Sequence, residues 1–211
     1  MSTPPAPSPA AGPRRELSDA TQRVPLHQRR ITLEGFRRSD GLWDIEGQLL
    51  DTKCYDYVSS EGVARQAGAP LHHMRVRMTV DATMTVRALD TVMAATPFSE
   101  CQAGIAPLQA LVGASLVRGW RKAIEAAAGG TGGCTHLREL LPAMATAALQ
   151  TIQHDIATQQ RARGEDPFAG DQPPASFGQC IAWDFDGPVI RRIAPKFAGW
   201  RPPWGPGEGR A

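Results

Sequence analysis

Residues His73 to Asp81 alternate without a break, and this run limits the fold more than any other. Met74, Val76, Met78 and Val80 share one face of an extended chain, and His73, Arg75, Arg77 and Thr79 share the other. Successive strand side chains point to opposite faces, so this is a strand with one covered side. Half-covered strands belong in antiparallel sheets. Three further strands are readable. Ile31 to Phe36 alternates in the same way. Ser39-Asp40-Gly41 is a turn signal, and Leu42 to Lys53 resumes as a second strand. Gly47 in that strand marks a bulge or a close approach. Asp81-Ala82-Thr83 turns the chain, and Met84 to Leu89 returns as a fourth strand. Arg75 and Arg77 are expected to face solvent.

The pattern then lengthens. Leu108, Leu111, Val112, Leu116, Trp120 and Ile124 recur at spacings of three and four, which predicts one helix opened by Pro107. Leu137, Leu140, Leu141, Met144, Ala148 and Ile152 predict another. Pro142 either kinks that helix or marks its start. Asp186-Gly187 predicts a small hairpin within Cys180–Ile190. The expected fold class is α+β, a small antiparallel sheet of three to four strands covered on one face by two to three helices. Residues 1–28 are expected to be a disordered leader, because Met1 to Pro13 is mostly Pro, Ala and Ser. Residues 29–195 make one domain. Residues 196–211 are expected to be a flexible tail, with Trp200 and Trp204 able to dock.

Composition removes several function classes. The formal charge is only +2, so no global field attracts nucleic acid or an anionic membrane. No apolar run is long enough for a transmembrane helix. The N-terminus lacks the apolar core of a secretory signal, which makes a cytoplasmic location the expectation. The four cysteines, Cys54, Cys101, Cys134 and Cys180, are widely spaced. In this setting they read as free thiols or metal ligands rather than a disulfide framework. There is no phosphate loop, dinucleotide fingerprint, nucleophile elbow or paired-Cys zinc knuckle.

What remains is Gly129-Gly130-Thr131-Gly132-Gly133-Cys134-Thr135-His136, ahead of an apolar helical stripe. Glycine permits left-handed backbone and close approach, and a helix start favours a thiolate. Cys134 and His136 are therefore candidate ligands. Cys101, also in a loop ahead of a helix, is a third. Asp44, a mid-strand carboxylate beside Trp43, is the fourth, with Cys180 as the alternative. Cys54 is taken as structural. His72 and His73 point to opposite faces of one strand, so at most one can join any site.

The blocks Asp40–Gly47, His73–Asp81, Pro97–Cys101, Gly119-Trp120 and Gly133–Leu140 resemble the bacterial family called domain of unknown function 2889, over about residues 29–195. The resemblance implies a Cys-His pair where this chain has Cys180-Ile181. The name implies no activity. The order of strands, Cys101, a helix, then Cys134 and His136 at a helix start is also similar to the U-type iron–sulfur cluster scaffold proteins. That likeness implies a cluster or zinc site. It departs from the scaffolds in its Cys-x-His spacing and in the absence of an early sheet cysteine.

Three functions follow, in this order. The first is a metal-binding domain for zinc or an iron–sulfur cluster, held by Cys101, Cys134, His136 and Asp44. The second is an enzyme with a Cys134 nucleophile and His136 or His73 as base. The third is a non-catalytic adaptor for another protein, contacting it through its leader and tail.

Overall fold

The computed structural model describes residues 22–201. Four strands form one antiparallel sheet: β1 (His27–Arg37), β2 (Trp43–Lys53), β5 (Pro70–Val80) and β6 (Val86–Ala95), in the order β1-β2-β5-β6. Two short strands, β3 (Tyr57–Val58) and β4 (Ala64–Arg65), make a separate hairpin in the β2–β5 connection. The β1–β2 register runs unbroken from His27↔Lys53 to Arg37↔Trp43, and Gly41 turns the hairpin with a φ of 83°.

Four helices follow: α1 (Trp120–Ala128), α2 (Thr135–Ala148), α3 (His154–Ala162) and α4 (Pro188–Ile193). A single π turn, Leu149–Gln153, joins α2 to α3. Pro142 lies inside α2 without ending it. The Trp120 indole N–H donates to the Leu141 carbonyl at 3.1 Å, fastening α1 to α2 beside the proline.

The α+β expectation holds, with one face of the sheet covered. Trp43, Ile45 and Leu49 of β2, with Met74, Val76, Met78 and Val80 of β5, form that face. Leu137, Leu140, Leu141, Met144 and Ile152 pack on it, all fully buried. Each such side chain removed from water contributes about 1.5–3 kcal/mol. Gly47 serves for close approach: a Cβ there would lie 2.8 Å from the Met144 sulfur. Arg77 sits on the open face and pairs with Glu46 at 2.7 Å.

Two predicted elements are replaced. The helix expected from Pro107 to Ile124 is a short 3-10 helix, Ala106–Leu111, then a loop, then α1. Gly113 (φ 90°) and Gly119 (φ 66°) take left-handed backbone, and Ser115 bridges to Thr85 at the sheet. The apolar spacing is real, but two elements share it. The hairpin expected over 180–190 is a 3-10 turn, Ile181–Trp183, followed by α4. Pro188 explains this. It lacks the N–H a strand ladder needs, and its fixed φ suits the first helical position.

The last described segment has its own core. Phe177, Ile190, Ala194 and Phe197 are buried together, with Phe168, Trp183, Phe185 and Trp200 against them. Trp200 does dock, while Trp204, most of the predicted leader and most of the predicted tail lie outside the described residues.

Candidate metal centre

At one end of the helix-facing side of the sheet the apolar surface gives way to a row of ionisable side chains. There Arg29 of β1, Asp51 of β2 and His72 of β5 form a row, because Arg29 pairs with Asp51 and Asp51 with His72 in the strand registers. Each is in phase with its strand's apolar residues: Arg29 with Ile31 and Leu33, Asp51 with Ile45 and Leu49, His72 with Met74 and Val76. The first turn of α2 lowers His136 over the row.

Asp51 is the hub, with only 1% of its surface exposed. Arg29 donates to it twice, Nε to Oδ1 at 2.8 Å and Nη2 to Oδ2 at 2.7 Å. His72 Nδ1 lies 3.1 Å from Oδ2. His136 Nε2 lies 3.6 Å from Oδ2, and His27 Nε2 3.3 Å from Oδ1. The rings of His72 and His136 face each other with centroids 3.7 Å apart. Asp51, His72 and His136 each offer a ligand atom within 4.8 Å of the others, and they are the one such group among the described residues.

Burial alone would push the Asp51 carboxyl up. The Arg29 hydrogen bonds and charge, helped by His72 and His27, outweigh it and hold the group at about 2. Burial pushes both His72 and His136 below their ordinary value. Asp51 pulls them back only in part, and Arg29 adds repulsion. The two imidazoles are therefore neutral near pH 7, the form that ligates a metal.

The residues expected from the sequence separate in space. His136 is in the group. Cys134 caps α2 beside it, with its sulfur 3.8 Å from the other His136 nitrogen, Nδ1. Cys101 lies in a 3-10 turn, Ser99–Gly104, whose Gly104 abuts Cys134; a Cβ there would come within 3.0 Å of the Cys134 Cβ. Neither cysteine is in the converging group. Asp44 is on the opposite face of the sheet, seven residues from Asp51 along one strand. It accepts from Thr79 Oγ1 at 2.7 Å and pairs with Arg38 at 3.2 Å. All four cysteines are free, and Cys54 and Cys180 are exposed.

Asp51 and His72 were the residues missed. Their signal was present as strand phase: each is a polar residue at an apolar position. Of the pair His72 and His73, one does join the site; His73 turns to the open face and meets Gln48 at 3.0 Å. The glycine run has a packing explanation. Gly130 has a φ of 55°, and a Cβ on Gly133 would strike Ala128 at 2.5 Å, so the run is a tight α1–α2 connection.

The family model described as "Protein of unknown function (DUF2889)" matches residues 27–150, more than half of the chain. The chain belongs to this family. The match opens at the first residue of β1 and closes inside the π turn, so it contains Arg29, Asp51, His72 and His136. It stops well short of the expected residue 195. No curated protein and no solved structure matches the chain. The likeness to iron–sulfur scaffolds is therefore unsupported. The donor set agrees with that outcome, because the converging group is one carboxylate and two imidazoles, with no thiolate to hold a cluster.

Proposed function

We propose that this DUF2889 protein binds one divalent transition-metal ion through Asp51, His72 and His136. The observation that carries the proposal is the convergence of three ligand atoms within 4.8 Å on a buried carboxylate. Two imidazoles and a carboxylate leave coordination positions free for water or a substrate. Arg29 takes the place of an outer partner that fixes the carboxylate's orientation.

Arg29 also sets selectivity. Its guanidinium is 2.7 Å from Oδ2, so the local charges of Asp51 and Arg29 cancel. A hard ion bound mainly by charge gains little there. An ion that gains from imidazole ligation is favoured, which points to Zn(II) and its neighbours over Mg(II) and Ca(II). Purification without an affinity tag, metal analysis, and Zn(II), Mg(II) and Ca(II) titrations monitored by thermal unfolding test this. About one equivalent of transition metal, a rise in Tm with Zn(II) alone, and loss of both in His136→Ala support it. Less than about a tenth of an equivalent with no Zn(II)-dependent rise in Tm rejects it.

A second reading has its own observation. The Cys134 sulfur lies 3.8 Å from His136 Nδ1, and His136 Nε2 lies 3.6 Å from Asp51 Oδ2. That is the order of nucleophile, base and orienting carboxylate. Cys134→Ser separates the readings. It keeps the metal under the first, and under the second it removes a covalent adduct formed with thiol-directed acyl probes.

A further inference from the structure

The outer side of β1 is free among the described residues. It is an edge strand, bonded on one side to β2 only. It runs eleven residues without a register shift, contains no proline, and ten of the eleven are exposed. Long, flat, unprotected edges are templates for another strand. Proteins blunt them with bulges, prolines, covering segments or charges; among the described residues β1 has only charges, and the two arginines on its helix side, Arg29 and Arg37, are paired with Asp51 and Asp155.

The sequence of β1 also reads in two directions. Paired antiparallel with itself about Thr32, it places Arg30 opposite Glu34 and Ile31 opposite Leu33, each twice, with Thr32 facing Thr32. Arg30 and Glu34 share the open face, and neither has an ion-pair partner among the described residues. Ile31 lies on the helix side, yet 43% of it is exposed, so the helices do not cover it. Sliding the pairing by two residues either way loses both Arg30–Glu34 pairs. One slide sets Arg29 against Arg37. At the ends of the favoured register His27 meets Arg37, and each is held by its own carboxylate, Asp51 and Asp155.

We propose that two copies of this chain join through β1, antiparallel about Thr32, into one eight-stranded sheet with the helices of both copies on the same side. Opposite charges and apolar side chains directly across an antiparallel pair stabilise it, and like charges do the reverse. The symmetry is isologous, so each pair occurs twice. The proposal does not depend on the metal reading.

Sedimentation velocity of the full chain between about 5 and 200 µM tests it. A dimer is expected. Arg30→Glu and Glu34→Arg should each weaken it by roughly tenfold or more, since two attractive pairs become repulsive. The double variant R30E/E34R restores the pairs in exchanged order and should regain the parental dissociation constant. A parental circular dichroism spectrum and Tm for each single variant show that it folds. A monomer throughout overturns the proposal. So does a dimer that neither single variant weakens, or one that the double variant fails to restore. A chain lacking residues 1–21 that dimerises when the full chain does not would show that the leader covers β1, which also overturns it.

Discussion

Asp51 is a carboxylate placed where the strand pattern calls for an aliphatic residue. Arg29, at 36% exposure, pairs with it, and so the charge is neutralised rather than buried alone. Breaking such a pair leaves the partner uncompensated. Asp51→Ala should therefore cost about 2 kcal/mol in urea unfolding of metal-free protein, more than Asp44→Ala on the open face. The same groups set a pH dependence. Asp51 falls from 3.8 to about 2 on folding, so its contribution is present above pH 3.8 and is lost as pH falls through about 2. At about 1.4 kcal/mol per unit that is about 2 kcal/mol. His72 and His136 are lowered from 6.5, so they penalise the folded state increasingly as pH falls below 6.5. Chelator-treated protein should lose stability in two stages, first below about pH 6.5 and again below about pH 4. A stability curve flat from pH 7 to 5 would contradict the buried imidazole pair.

Sheet and helices meet at glycines, and the elements were only partly legible for that reason. A Cβ on Gly35 would lie 2.7 Å from the Thr151 Cβ, a β-branched side chain held on the π turn. At Gly47 the nearest atoms belong to the flexible Met144. Gly35→Ala should cost about 1–3 kcal/mol and Gly47→Ala less, as read by thermal unfolding. Pro142→Ala should raise Tm, because it returns a helical N–H to the middle of α2. Strand periodicity revealed β1, β2, β5 and β6, since a period of two survives wherever one face is covered. It did not separate the 3-10 helix from α1, because Leu108 through Ile124 keeps helical spacing across two positive-φ glycines. His136 was found from local sequence. Asp51 and His72 were not, because one polar residue at an apolar strand position is a weak signal by itself and gains meaning only when three strands are aligned.

At the scale of the molecule, the described residues form two cores that share no residue: the sheet–helix core, and the aromatic group around Phe177 and Phe197. The family match ends at residue 150, before the second begins. Phe197→Ala should lower or remove a transition reported by Trp183 and Trp200 fluorescence. It should leave Zn(II)-dependent stabilisation of the first core intact, and loss of that response would show that the two are one cooperative unit. Among the described residues no helix is long and apolar enough to cross a membrane.

The three proposed ligands come from three places in the chain, Asp51 and His72 from adjacent strands and His136 from α2. Synthesis runs from the N-terminus, so an emerging chain holds the first two long before the third exists. Two ligands bind an ion weakly and exchange it quickly. Under the proposed function, tight retention would begin only once α2 has docked on the sheet, so a molecule that kept an ion through gel filtration would have completed its topology. Metal content would then count correctly finished chains.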